Sequence, residues 1–540
     1  MCQDHSQHRH GISLDHPEAH QKDHELYSRK AFLGLSGLMA GAGIMLGNTP
    51  VRATAAHPML EYLMGLETDR VLVIIQLNGG NDGLNTVIPI EDDQYYKFRP
   101  TLGIKGNDAF KLNKEVALHK GLSSLEPMWK EGKMGIIRNV GYPDPNMSHF
   151  RSTDIWVTGT DSNVYESTGW LGRFMDKTQG DSKPYPIAVQ VGANQSLIFQ
   201  NGLAPVSMNL NNPDTFERLS REGKYYKTDN YPNNASGIEQ SWVRTLANKS
   251  YIFAGAIHEA SKKASNEVEY PQSNNWGARL GINLAITAQL IKGGLKSKIY
   301  LVELNGFDTH ALQANLHHNL MTMLSESLVA FYADLAKKGM ASKVLTMTFS
   351  EFGRTLRENG SAGTDHATSA PMFLFGEEAK GGLIGKAPSL TDLDSRGELK
   401  FEHDYRQVYS SVLKDWFGVS DTQSSSILKR DFGNMGLIRN PITTSLADSD
   451  EQPKEFNLAQ NYPNPFNPAT TISYTLNRSE RVRLRVFDTN GRLVRTLVDA
   501  DQHAGTHEVR FEAFNLASGV YLYTLESPSF RATKKMTLVK

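Results

Sequence analysis

Three short clusters in this sequence hold the residue types that bind divalent metals and carry out attack on anionic esters. In Asn305-Gly306-Phe307-Asp308-Thr309-His310, Asp308 and His310 stand two residues apart. In extended backbone that spacing puts both side chains on one face. A carboxylate and an imidazole together suit a divalent cation such as zinc. Asp365 and His366 are adjacent in a Gly-rich turn and form a second ligand pair. Ser148 and His149 follow a Pro-rich segment where a helix would begin. The Ser148 hydroxyl either caps that helix or meets an anion at its positive end. A neighbouring base or metal is what turns a serine into a nucleophile. Arg354 offers a planar fork for phosphate or sulfate oxygens, its alternative role being an ion pair with Glu351. Asp82 lies in Asn78-Gly79-Gly80-Asn81-Asp82-Gly83, where it or Asn78 faces a ligand unless the segment is a plain turn.

The elements that must position these groups read as an α/β domain with a largely parallel sheet, because short apolar runs alternate with amphipathic stretches. Strands are expected at 71–77, 134–140, 187–191, 298–304, 344–349 and 372–375, and helices at 148–157, 276–291, 315–338 and 405–416. Each chemical cluster lies in the segment that follows an expected strand. In such sheets ligands collect outside the carboxyl ends of the strands. The glycines after the first strand lack the spacing of a dinucleotide fingerprint or a P-loop. His317 and His318 are expected on a helix surface.

Composition narrows the field further. The chain has 540 residues, 39% hydrophobic and 21% charged, with a formal net charge of -1. Such a balance fits globular domains and offers no global field toward nucleic acid or anionic lipid. The single cysteine is Cys2, so any metal in the mature protein would use His, Asp, Glu, Asn or hydroxyl ligands.

The two ends read as addresses. Ser28-Arg29-Lys30-Ala31-Phe32-Leu33 leads into a Gly/Ala-rich apolar run ending near Gly47, with small residues at Ala53 and Ala55 for cleavage. The run barely reaches the length that spans roughly 30 Å of hydrocarbon, so no permanent membrane span is expected after processing. The segment resembles a twin-arginine signal, with Lys30 in place of the second arginine. Twin-arginine or general export machinery is the implied partner. The His-rich stretch before it would be discarded with residues 1–55. The polar residues 441–455 read as a linker. From 456 to 540, alternation at Val482, Leu484 and Val486, the Asn490-Gly491 turn and the pair Tyr521 and Tyr523 predict a small antiparallel β-sandwich. NYPNPFNP, LASGVYLYTL and the terminal KKMTLVK resemble the type IX secretion sorting domain. That resemblance implies handling by the type IX secretion machinery, passage through the periplasm, and a cell-surface or extracellular destination.

The middle domain, residues 56–440, resembles over roughly residues 70–420 the bacterial domain-of-unknown-function family 1501 through LVIIQLNGGNDGLNTVIP, SHFRSTDIWVTG, ELNGFDTH, SEFGRTLRENGSAGTDHA and DYRQVYSSVLKDW. The resemblance implies an alkaline phosphatase/sulfatase-like core. It also implies one or two metals held around a phosphate or sulfate ester, with zinc, calcium, magnesium or manganese as the candidate ions. By order, the positions are Asn78 or Asp82, Ser148 as nucleophile with His149 beside it, Asp308 with His310, and Asp365 with His366. The chain departs from the superfamily in having Asn78 where an aspartate is usual and D-x-H in place of D-x-x-x-H. His403 is the remaining candidate for a third histidine. A metal-dependent ester hydrolase is thus the leading expectation. The alternative is a non-catalytic surface-binding or assembly protein that keeps the core.

Overall fold

In the computed structural model, the described residues are 68–176, 185–192, 196–200, 207–210, 225–226, 235–272, 279–442 and 456–539, less 462–463, 490, 503–504 and 515. To these is added one two-strand ladder, Ile44–Leu46 against Thr49–Val51. The expected signal segment otherwise lies outside the described residues, as does the linker beyond 442. The chain divides into two compact units, one through Thr443 and one from Thr444.

The first unit is built on a nine-stranded mixed sheet. Its strands in chain order are β1 (Val71–Asn78), β2 (Met134–Gly141), β3 (Ala188–Val191), β4 (Ser207–Leu210), β5 (Ile299–Asn305), β6 (Val344–Phe349), β7 (Ala370–Phe375), β8 (Gly382–Ile384) and β9 (His403–Asp404). The order across the sheet is β8-β2-β7-β6-β1-β5-β3-β4, with β9 also paired to β2. Only β7 runs antiparallel to its neighbours β6 and β2. The expected strands are all present within two residues of their ends. Among the elements the sequence pattern did not single out are β4, β8, β9 and the long helix Ala235–Lys263.

β1 shows why the sheet is central. Val71, Val73, Ile75 and Leu77 pack into one apolar cluster, while Leu72 and Ile74 pack into another. A strand with apolar side chains on both faces must be covered on both faces. Each such side chain contributes roughly 1.5–3 kcal/mol by burial. The turn after β1 leads into the short helix α1 (Gly83–Thr86), and one face of the sheet carries helix α3 (Gln313–Ala336), whose Leu320, Leu324, Leu328, Phe331 and Leu335 form a helical stripe in the first cluster. The other carries helix α2 (His149–Thr158), which buries Ile155, Trp156 and Val157 in the second cluster and ends at Gly159 with φ 67°. The carboxyl ends of β1, β2, β5 and β6, and the start of antiparallel β7, therefore share one edge of the sheet.

The second unit consists of two antiparallel sheets. Ala469–Leu476 alternates in burial, with Thr470, Ile472, Tyr474 and Leu476 inward, and Glu480–Asp488 turns Val482, Leu484 and Val486 inward. Tyr521, Tyr523, Leu525, Met536 and Leu538 complete that core, as a β-sandwich requires.

Candidate functional site

The loops after β1, β2, β5 and β6 meet around the carboxylate of Asp308. Its Oδ1 lies 2.7 Å from Arg354 Nη2, 3.1 Å from His310 Nε2 and 3.2 Å from His366 Nε2. Its Oδ2 lies 3.4 Å from His149 Nε2. Four of the residues named from sequence thus converge on a fifth. His149, Asp308 and His366 offer ligand atoms that all lie within 4.8 Å of one another. The Asp308 side chain stays 49% exposed, so the cluster opens to solvent.

Each imidazole is held from behind. His149 Nδ1 is 2.9 Å from Glu351 Oε1, His310 Nδ1 is 2.7 Å from Asp365 Oδ1, and His366 Nδ1 is 2.7 Å from the Met147 carbonyl. An oxygen of a carbonyl or carboxylate only accepts, so all three Nδ1 atoms donate. In the neutral tautomer that leaves a lone pair on each Nε2. These lone pairs aim at the Asp308 carboxylate, and His310 Nε2 lies only 2.9 Å from His366 Nε2. Acceptors gathered in this way require shared protons or a cation between them. Zinc and similar ions take such nitrogen and carboxylate donors, so the residues present fit the expected metal.

Electrostatics follow the geometry. Burial pushes the Asp308 carboxyl up, but hydrogen bonds from His149, His310, His366 and Arg354 outweigh it and hold it well below its ordinary value. For His149, burial disfavours the charged ring, yet Asp308 and Glu351 together raise its pKa to about 9. His310 is raised chiefly by its hydrogen bond to Asp308. His366 is lowered, first by burial, with the nearby Arg354 charge acting in the same direction.

Close backbone approaches make this convergence feasible. Gly79 has φ 119°, and a Cβ there would stand 2.3 Å from the Asp308 amide nitrogen. At Gly363 a Cβ would stand 2.2 Å from the His310 carbonyl carbon. Only glycine lets the β1 turn and the Asp365 turn press this closely on the Asp308–His310 loop.

The other expected residues fall in distinct places. Ser148 is the N-cap residue of α2, between Met147 and His149, and its hydroxyl makes no capping bond. Arg354 is buried, and its guanidinium donates to the carbonyls of Gly79, Gly80, Phe307 and Thr364 as well as to Asp308. It therefore locks Asp308 and the surrounding turns rather than presenting a free fork. In place of the alternative Glu351–Arg354 ion pair, Glu351 pairs with His149 and Arg354 with Asp308, and both side chains also bond the Gly79 backbone. Asp82 is buried away from the imidazoles. It caps a short helix through Asn85 N and binds Arg99 Nη1 at 2.6 Å. It also accepts from Gln313 Nε2, whose Oε1 in turn accepts from Thr309 and Thr364. Asp82 thus braces the residues that precede His310 and Asp365. Asn78 pairs with Asn305 Oδ1 at 2.7 Å. His403 has an Nε2 with no hydrogen-bond partner, 3.8 Å from Glu402. His317 is buried, contrary to its expected surface position, because it sits on the apolar stripe of α3, whereas His318 is exposed.

Glu351 was missed as a site residue in its own right. Its place directly after β6, the same position relative to a strand that drew attention to the other loops, was the available signal.

The family described as "Protein of unknown function (DUF1501)" matches residues 132–429, and the family described as "Secretion system C-terminal sorting domain" matches residues 460–539. No curated protein matches the chain. Among solved structures, dimeric latent PorU from Porphyromonas gingivalis is 23% identical over 16% of this chain and 9% of its own, with a TM-score of 0.14. PorZ from the same organism, a component of the type-IX secretion system, is 21% identical over 17% of this chain and 13% of its own, with a TM-score of 0.12. This chain therefore spans only a small fraction of either protein. An alkaline phosphatase superfamily protein from Vibrio parahaemolyticus is 10% identical over 93% of this chain and 89% of its own, at a TM-score of 0.34. These likenesses are loose, and the chemistry of the site rests on its own atoms. The sorting domain marks the chain for the type IX secretion machinery and for export to the cell surface. No helix among the described residues is long and apolar enough to cross a membrane.

Proposed function

The chain belongs to the family of proteins of unknown function DUF1501, and from its site we propose that the exported α/β domain is a metal-dependent hydrolase of phosphate or sulfate esters. One observation carries the reading. Three imidazoles, each donating its Nδ1 proton to an oxygen, turn their Nε2 atoms toward one half-exposed carboxylate. That is the donor set and the backing that metal-binding histidines use.

His149, Asp308 and His366 would hold the ion, with His310 and Asp365 alongside. When bound, the ion supplies positive charge that stabilises the transition state and lowers the pKa of an attacking hydroxyl. Ser148 is the attacking group. Its hydroxyl is not used in capping, and the amino end of α2 favours negative charge there. Its Oγ forms a bond to phosphorus or sulfur, the bond to the ester oxygen breaks, and the departing alcohol takes up a proton. Water then releases the anion from Ser148. Arg354 fixes Asp308, and Glu351 fixes His149, so the ligands stay aligned through both steps. Export is supplied by the sorting domain, and the amino-terminal segment serves as the cleaved signal for the first membrane.

Metal analysis of the mature protein, paired with aryl phosphate and aryl sulfate hydrolysis, tests this. Stoichiometric zinc, calcium, magnesium or manganese and turnover lost in Ser148→Ala are expected. A protein that binds none of these ions and cleaves neither ester overturns it. The second reading, a non-catalytic surface-binding protein, draws on the full engagement of Arg354 by its own chain, which leaves no arginine fork for a substrate.

A further inference from the structure

Tyr142 stands directly after β2, where the chain leaves the sheet for the loop that carries Ser148. That loop is irregular. Pro143 and Pro145 have no amide proton to donate, and Asp144 between them has φ 50°. The bonds that hold it fall on the next three residues. Asn146 N donates to the Tyr142 hydroxyl at 3.2 Å, the Met147 carbonyl accepts from His366 Nδ1 at 2.7 Å, and Ser148 N donates to Asn146 Oδ1 at 2.8 Å.

The Tyr142 side chain is buried in the second cluster, its ring nearly perpendicular to those of Trp156 and Tyr405. Its hydroxyl lies 2.8 Å from the buried Ser152 Oγ, which lies 2.5 Å from the Glu351 carbonyl oxygen. The end that cannot donate settles the direction of these bonds. A carbonyl only accepts, so the Ser152 proton is committed to Glu351. Ser152 Oγ is then the acceptor for Tyr142, whose own oxygen accepts from Asn146 N. Burial pushes the Tyr142 phenol up, so its proton stays available for donation. A one-way chain thus runs from Asn146 N–H through the Tyr142 and Ser152 hydroxyls to the end of β6. There the Glu351 side chain accepts from His149 Nδ1 at 2.9 Å and from Gly79 N at 2.7 Å. Two buried hydroxyls therefore tie the Ser148 loop to the residue that backs a site histidine.

We propose that Tyr142 and Ser152 are positioning residues, whose hydroxyl chain holds the Ser148 loop in place against the Asp308 and histidine cluster. The inference rests on the reading of Ser148 as the attacking group and adds what fixes it. Neither hydroxyl touches substrate. Without the chain, Asn146 N loses its acceptor and the loop its tie to β6, while the Glu351, Asp365 and Met147 oxygens still back the three imidazoles. A misplacement of about 1 Å costs on the order of 10²-fold in rate, and a loop that still visits the right position loses less, about tenfold.

The test uses the full mature protein loaded with the metal it retains, 4-nitrophenyl phosphate and 4-nitrophenyl sulfate as substrates, and inorganic phosphate as a competing anion. Tyr142→Phe keeps the buried ring, and Ser152→Ala makes a still smaller change. Each should lower kcat about tenfold, with KM, inhibition by phosphate and metal content at wild-type values. Because the two hydroxyls act as one chain, the double variant should lose no more than either single variant. Tyr409→Phe is the control for a lost buried phenol hydroxyl. Tyr409 lies in the same cluster and donates to the Trp156 carbonyl at 3.3 Å, so its loss should lower the melting temperature about as much as Tyr142→Phe does and leave kcat unchanged. Wild-type kcat in either single variant, losses that multiply in the double variant, or an equal fall of kcat in Tyr409→Phe overturns the chain and leaves the hydrolase reading standing. If Tyr142→Phe does not fold, Ser152→Ala decides by the same expected loss. A metal-loaded wild type that cleaves neither ester overturns the hydrolase reading, and the role of the chain with it.

Discussion

Two carboxylates at the same edge of the sheet have opposite circumstances. Asp82 is buried, and Arg99, Asn85 and Gln313 satisfy it from within the chain. Asp308 is half exposed, and three imidazole Nε2 atoms surround it. The first arrangement is complete as it stands and stabilises the fold. The second is complete only with added protons or a cation. Residue type alone does not make a metal ligand; what matters is whether the neighbours leave coordination capacity open.

The sharpest way to break this contrast is Asp308→Asn. Loss of the central ligand should lower ester turnover by about 10³-fold, from several kcal/mol of lost transition-state stabilisation. Stability should fall as well, since Asp308 is the carboxylate paired with the buried Arg354 guanidinium. A variant that keeps wild-type turnover and metal content would remove Asp308 from the site.

Asp82→Ala should act chiefly on stability. It leaves the buried Arg99 guanidinium without its carboxylate, which costs about 3–5 kcal/mol. Chemical denaturation followed by tryptophan fluorescence would measure that loss. A stable Asp82→Ala protein that has lost its metal would instead return Asp82 to the ligand set.

Glu351→Gln tests the backing of the histidines. The amide weakens the acceptor facing His149 Nδ1, and metal affinity should drop about 10- to 100-fold by competition with a chelator. Unchanged affinity would mean that His149 needs no orientation from behind.

The smallest effect per unit of change concerns the buried polar layer near Asp82. Burial, with the neighbouring histidines, lowers His119 to about 3; burial lowers His317 to about 4. Between those values and the ordinary histidine pKa near 6.5, the unfolded chain binds protons that the folded chain refuses. Stability is therefore full above about pH 6.5 and falls on acidification toward pH 4, by about 1.4 kcal/mol per pH unit for each histidine. His317→Asn should make the stability profile shallower over that window, and an unaltered slope would show that His317 does not titrate on unfolding.

Much of the fold was legible because its causes are local. β1 is apolar on both of its faces from Val71 to Ile75, which only a strand covered on both faces tolerates. The alternation at Thr470, Ile472, Tyr474 and Leu476 likewise fixes one buried face in the second unit. His317 was misplaced although it shares the helical spacing of Leu320, Leu324 and Leu328, because a polar residue on an apolar stripe goes against the usual exposure of its type.

For the site, the sequence by itself determined the carboxylate and imidazole pairs and their positions after strands: Asp308 with His310, Asp365 with His366, and His149 beside Ser148. These follow from short spacing and the period of extended chain. Only the tertiary structure decided how they were used. It sent Arg354 to Asp308 rather than to Glu351, joined His149 to Asp308 and His366, and withdrew Asp82 into an ion pair with Arg99. Those choices depend on which strand ends lie side by side and how closely Gly79 and Gly363 let the loops approach. Contacts between residues tens to hundreds of positions apart have no local signal to announce them.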